Sequence, residues 1–449
     1  MERRWDEILA FQTEMLRHLG TDKDGIDDAG MKTYCERHLE RIRRWMKRQD
    51  HREVLQVCYN ALVRNPFVGA ERINGFLGGR VNAALMANAV DMDLYRSKSF
   101  NVEALTLEQL AGQRLMVGFH GTCLEGELKT YIDTFKIGGV VLFARNAESP
   151  DQIEELCGSV QTYARSSGQP PLFVAVDQEG GTVARFKPPF TQFPGNPLIR
   201  SEDDAAAYAT VAGREMREVG CNMNLAPVLD VAPHEGTSAV AGRTFGPDPE
   251  TVAHLGSVVI ETLQAQGLLA VAKHFPGIGR TELDSHVDLP RLHVDPAVME
   301  KTDLLPFAAA VQAAVAGIMM SHVVYETVDP GWPASLSAVA CRHLLRGKLG
   351  FDGLVMTDDL DMGAIAKHYD TRTVAGRVLE AGIDLALICH PGPKIGEAFD
   401  ALVSAFRESE RYKAEALEAA RRIFRAKGRI APMRRWEQPG VATGFSGVA

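Results

Sequence analysis

Several marks of common protein classes are missing from this chain of 449 residues. Its seven cysteines, Cys35, Cys58, Cys123, Cys157, Cys221, Cys341 and Cys389, are scattered, odd in number and never arranged as C-x-x-C. That argues against a zinc framework or a disulfide scaffold and leaves buried, reduced thiols. No run of about 20 apolar residues is present, so no membrane-spanning helix is expected. The opening stretch MERRWDEILAFQTEM has charges but no apolar segment of signal-peptide length, which points to a cytoplasmic protein. Basic charge is not in excess: 49 Lys and Arg face 58 Asp and Glu, a net charge of −9. Nucleic acid is therefore not an expected partner. The Gly-Gly of QEGG lacks the G-x-G-x-x-G of a dinucleotide site, and neither G-x-x-x-x-G-K-[ST], H-E-x-x-H nor an EF-hand pattern occurs. No cofactor and no metal are expected.

What is present is enough apolar sequence for a large core, 45% of residues, with 24% charged. The first hundred residues carry helical patterns over 2–19, 30–48 and 50–63. In ERHLERIRRWMKRQDHR (36–52), Leu39, Ile42, Trp45 and Met46 recur at helical spacing beneath a solvated charged face. Residues 1–100 are read as a helical extension with no chemical signature and no assigned partner. From about 105 the pattern changes to eight apolar runs: LMVGF (115–119), GGVVLF (138–143), LFVAVD (172–177), CNMNLAPV (221–228), LLAVAKH (268–274), GIMMSHV (317–323), GLVMTD (353–358) and LALICH (385–390). Continuous apolar character suits strands of a parallel sheet buried on both faces. Helical intervals separate them, for example 203–219, 250–266, 298–315 and 371–381. The expected fold is α/β, a (β/α)8 TIM-type barrel over 105–430, with an open doubly wound sheet as the rival. A helical stretch continues from 390 to about 428, and 431–449 reads as a flexible tail.

Polar residues fall at or just past the ends of these runs: Asp177, Asp230, Lys273, His274, His322, Asp358 and His390. Barrel enzymes keep their chemistry on that face. The segment KHFPGIGRTELDSHVDLP (273–290) adds two histidines and three acids on one irregular loop. Asp284 and His286, two apart in extended chain, can lie on one side with Ser285 on the other. Such a pair orients an imidazole for proton transfer near neutrality, or merely decorates a surface. Asp358 ends a strand and could be a nucleophile. Because DDLDMGAIA opens a helix, Asp358, Asp359 or Asp361 could instead be its N-cap. Lys273 and His274 are neighbours, so both can face a site only if the strand breaks there, as Pro276 and Gly277 suggest. Arg185 and Arg243 could be ordinary salt-bridge partners, and His274 a hydrogen-bonded core residue.

Six motifs in order, VDQEGGTVAR (176–185), NLAPVLDV (224–231), GRTFGPDP (242–249), KHFPGIGRTELDSHVDLP, PASLS (333–337) and GFDGLVMTDDLDMGAI (350–365), resemble those of family 3 glycoside hydrolases. The chain is most similar to the single-domain β-N-acetylglucosaminidases of bacterial cell-wall recycling. The resemblance implies Asp358 as nucleophile, His286 as general acid/base and Asp284 as its paired carboxylate. It implies Asp177, Arg185, Arg243, Lys273 and His274 as the residues that hold the sugar. The implied activity is retaining hydrolysis of terminal β-linked N-acetylglucosamine, with muropeptide fragments as substrate. A phosphorylase of the same family and a catalytically inactive sugar-binding protein are the alternatives. The chain departs from the usual K-H-F-P-G-H-G-D loop at Ile278 and Arg280, which stand where a histidine and an aspartate are common.

Overall fold

A computed structural model describes residues 102–232 and 238–430, together with 66–79, Leu55 and Met86. The helical patterns read over 2–19, 30–48 and 50–63 and the tail 431–449 lie outside these residues, apart from Leu55. The chain divides into two compact units, Met1–Phe100 and Asn101–Ala449. In the first, Pro66–Phe76 is an α-helix followed by Gly78 and Gly79 at positive φ, a backbone state that ends helices cheaply only at glycine.

The second unit is a closed barrel of eight parallel strands. They are β1 (Leu115–Val117), β2 (Gly139–Leu142), β3 (Phe173–Val176), β4 (Met223–Asn224), β5 (Leu269–Phe275), β6 (Gly317–Met320), β7 (Leu354–Asp359) and β8 (Leu385–Ile388). Each strand pairs with its neighbour in sequence, and β8 closes on β1. All eight apolar runs are barrel strands, and the open sheet is excluded. The fourth run pairs least, over two residues, because Pro227 has no N–H to donate.

Side chains alternate across each strand, and the two faces separate into two apolar clusters. Met116, Val141, Phe173, Ala175, Met223, Leu269, Val271, Met319, Leu354, Met356, Leu385 and Leu387 fill the interior. Leu115, Val117, Val140, Leu142, Val174, Val176, Ala270, Ala272, Ile318, Val355 and Ile388 face the helical shell. This two-sided burial is why the runs are continuous rather than alternating.

The shell includes α1 (Gly126–Asp133), α2 (Pro150–Ser166), α3 (Glu202–Glu218), α4 (Pro249–Ala265), α5 (Leu305–Gln312), the π-helix Val339–Lys348, α6 (Thr371–Ala381), α7 (Pro393–Glu408) and α8 (Glu410–Lys427). Ser149, Ser201, Asp248 and Asp370 cap α2, α3, α4 and α6 by accepting a bond from a first-turn N–H. The single helix expected over 298–315 is instead two short ones, Pro296–Lys301 and α5, because Pro306 fits only a first turn. The stretch after 390 divides likewise at Ser409, which caps α8. Ile423 and Ala426 of α8 join the interior cluster, and Lys427 Nζ donates to Gln113 Oε1 at 2.7 Å. The opposite, C-terminal mouth of the barrel is lined by the polar residues.

Candidate active site

The alternation that fills the interior also selects the mouth. In β3 the inward series Phe173, Ala175 continues to Asp177. In β5, Leu269 and Val271 continue to Lys273. In β7, Leu354 and Met356 continue to Asp358. Lys273 Nζ lies 2.7 Å from Asp177 Oδ1 and 2.5 Å from Glu179 Oε1, with Lys273 and Glu179 both 2% exposed. Arg243 grips Glu179 with two bonds, Nε at 3.0 Å and Nη2 at 2.8 Å. Arg185 Nη2 is 3.6 Å from Asp177 Oδ2, and its buried Nε has no protein partner among the described residues. Burial works against the charge on Asp177 and Glu179, but Lys273 and the arginines outweigh it and hold both carboxyls below their ordinary range. Burial likewise opposes the Lys273 ammonium, and its two carboxylate neighbours raise it nonetheless.

Glu179 was not among the residues read from the sequence. The acid sits on a short antiparallel ribbon, Gln178–Gly180 with Val183–Ala184, and holds the lysine and the arginine that were. Its place between Asp177 and Arg185 was the available signal.

His274 has the wrong parity for the interior, yet it reaches the mouth. The pairing of β5 with β6 slips between Ala272 and Phe275, an irregularity of the kind that re-aims side chains near active sites. His274 Nδ1 then meets Asp230 Oδ2 at 2.7 Å, and its Nε2 lies 3.5 Å from Arg243 Nη2. Asp230 is fully buried and also accepts the N–H of Ile278 at 2.7 Å, so it orients the histidine and fastens the loop. His274 is thus a buried, hydrogen-bonded histidine whose outer nitrogen faces the arginine.

Asp358 is partly exposed at the end of β7, where pairing with β8 slips between Met356 and Asp359. Burial raises its carboxyl, while His274, His322, the N–H of Asp359 and Lys273 together lower it further than burial raises it. Asp358 therefore remains ionised at neutral pH. Buried His322 hydrogen-bonds Ser335 Oγ at 2.7 Å and the Asp359 carbonyl at 2.8 Å, which leaves neither ring nitrogen for substrate. Burial holds His322 below its ordinary range, and the charges of Asp358, His274 and His286 act on it as well. None of the acids of DDLDMGAIA caps the following helix: it spans Gly363–Ala366 with Met362 at the cap position.

Asp284 and His286 sit on the loop after β5. Asp284 Oδ1 accepts both the backbone N–H of His286, at 2.9 Å, and its ring Nδ1, at 2.8 Å. Burial opposes the Asp284 charge, and those two bonds outweigh it and keep the carboxyl low. Among the described residues Nε2 has no hydrogen-bond partner. The divergent residues turn away from the mouth. Ile278 is 7% exposed in the outer apolar cluster, and Arg280 Nε straddles Asp303 at 2.9 and 3.0 Å. They anchor the start of the loop rather than extend the polar site.

Beside the mouth, Asp359, Asp361 and His390 bring possible ligand atoms within 4.8 Å of one another. Asp361 already accepts Lys394 Nζ and the His390 N–H, and Asp359 Oδ1 accepts two backbone N–H groups. Burial pushes Asp359 up to about 6. This group is a hydrogen-bonded brace for the mouth.

A (β/α)8 barrel with carboxylates, a lysine and a hydrogen-bonded Asp–His pair at its C-terminal end has the form of a glycosidase. Residues 106–426 match the glycosyl hydrolase family 3 N terminal domain, and the chain belongs to that family. It is similar to a protein named beta-hexosaminidase from Alkalilimnicola ehrlichii, 38% identical over an alignment of 288 residues that covers 62% of this chain and 81% of the relative. Among solved structures it resembles a family 3 beta-N-acetylglucosaminidase from Paenibacillus sp., with TM-score 0.70 and 36% identity. That match covers 73% of this chain and 63% of the other. It also resembles NagZ from Neisseria gonorrhoeae in complex with N-trifluoroacetyl-D-glucosamine, with TM-score 0.58 and 29% identity, over 71% of this chain and 97% of the other.

Proposed function

We propose that this glycosidase is a retaining β-N-acetylhexosaminidase that releases terminal β-linked N-acetylglucosamine. What supports the reading is a carboxylate held in its ionised form at the tip of β7, Asp358, together with an imidazole on the loop after β5 whose inner nitrogen is held by Asp284. Retaining glycosidases need a nucleophile and a proton donor flanking one bond. Asp358 attacks the anomeric carbon as His286 Nε2 gives its proton to the departing oxygen. The C–O bond to the leaving group breaks and a C–O bond to Asp358 forms. The neutral imidazole then takes a proton from water, which attacks the glycosyl ester and frees Asp358. Asp284 stabilises the protonated ring without itself titrating. Asp177, Lys273, Arg185, Arg243 and His274 supply the donors and acceptors for sugar hydroxyls and the N-acetyl group. The neighbour that carries N-trifluoroacetyl-D-glucosamine supports this sugar class.

Peptidoglycan fragments as substrate complete the reading, on the resemblance to recycling enzymes. Asp358→Asn is expected to lower kcat/KM on a nitrophenyl N-acetylglucosaminide by a factor on the order of 10³ or more. Full activity in that variant excludes the assignment. Following the reaction by NMR with and without phosphate identifies the product: β-configured free sugar supports hydrolysis with retention, and sugar-1-phosphate supports the phosphorylase instead.

A further inference from the structure

The Asp284–His286 hook is internally complete but hardly attached. Of residues 282–287 only Ser285 is buried, and the side chains of Asp284 and His286 are 55% and 69% exposed. Both flanks of the loop are fixed. Arg280 is tied to Asp303 upstream, and Arg291–Leu292 pairs with Val324–Tyr325 downstream. Between them, among the described residues, every hydrogen bond from 285–288 to a distant part of the chain runs to residues 363–368. Gly363 N donates to His286 O at 3.1 Å and Ala364 N to Ser285 O at 3.0 Å. Lys367 Nζ donates to Val287 O at 2.7 Å, and His368 Nε2 meets Asp288 Oδ1 at 2.6 Å. The approach is close: a Cβ at Gly363 would lie 2.6 Å from His286 O and 2.5 Å from Val287 O.

From this we propose that Gly363, Lys367 and His368 form a latch that positions the imidazole of His286 over the reacting bond; the inference rests on His286 being the acid/base. Asp284 fixes the ring relative to its own loop and fixes nothing relative to Asp358. The latch does the latter, because it begins five residues beyond Asp358 on the same continuous segment. Glycine at 363 lets two backbones meet, the lysine donates a hydrogen bond to a carbonyl at the loop's tip, and the His368–Asp288 pair closes the far end. These are positioning residues. They touch the loop and not the substrate.

Protonation matters more as the leaving group becomes more basic, which separates positioning from folding. The test compares a dinitrophenyl and a methyl β-N-acetylglucosaminide on the full chain. The double variant Lys367→Met, His368→Phe is expected to stay within about twofold on the activated substrate and to lose about tenfold in kcat/KM on the methyl glycoside. Lys367→Arg with His368→Gln restores most of that loss. Gly363→Ala shows the same split, more strongly. Equal losses on both substrates, or no loss on either, overturn the latch. His286→Ala is measured in parallel. If it lacks the split, the acid/base reading falls; if it has the split and the latch variants do not, the latch alone falls.

Discussion

Glu179 shows how much one buried charge can hold. It faces Lys273 at 2.5 Å and Arg243 in a two-pronged contact, with almost no solvent to share the load. Breaking a buried ion pair from one side strands the other charges. Glu179→Gln is therefore expected to lower stability by about 3 kcal/mol and to raise KM, read by urea denaturation and by saturation kinetics. Asp359 is the opposite case. Its carboxyl, pushed up to about 6 in the fold, ionises near 3.9 in the unfolded chain. Between those values the folded state binds more protons, so this group's contribution to stability falls as pH rises and stays low above about 6. Asp359→Asn keeps the oxygen that accepts two N–H groups and removes the buried charge. The variant is expected to gain about 1–3 kcal/mol at pH 7.5 and nothing at pH 4, seen as a shifted urea midpoint only at the higher pH.

At the scale of elements, the loop after β5 is a span with two fixed ends. Its upstream anchor depends on Gly279, where a Cβ would lie 1.8 Å from Val231 O, and on the bidentate Arg280–Asp303 contact. Gly279→Ala must displace either the loop or the segment after β4 that carries Asp230. It is expected to cost stability and to cut turnover on activated and basic leaving groups alike, because His274, which we propose holds the sugar, moves with Asp230. That uniform loss contrasts with the split expected of the latch. Much of the barrel's inward layer was legible here. Asp177, Lys273 and Asp358 continue a period-two series of apolar residues, and the same count could have ranked them first. His274 was not legible by parity, since only a slip in β5 pairing turns it to the mouth.

Among the described residues, the C-terminal mouth of the barrel gathers buried and half-buried carboxylates that their neighbours hold charged. Asp177, Glu179 and Asp358 are all held below the ordinary carboxylate range by their neighbours. Their contribution to stability is complete above the unfolded carboxylate values, near pH 4, and is lost as pH falls through the lower folded ones. A urea midpoint that declines steeply from pH 4 to pH 2.5, and less steeply in Glu179→Gln, is the expected result. The sequence by itself determined the eight strands and their parallel alternation with helices, because two-sided burial imposes continuous apolar runs and strand ends carry the polar residues; closure into a barrel rather than an open sheet was decided by the tertiary structure. The sequence also named most of the mouth, since inward parity and motif order are local properties of the chain. The tertiary structure alone also decided which charges answer one another. Glu179 against Lys273 and Arg243, Arg280 turned to Asp303, and the loop seated on residues 363–368 all join segments far apart in the chain. Such pairings depend on through-space distance, which no spacing along a strand or helix encodes.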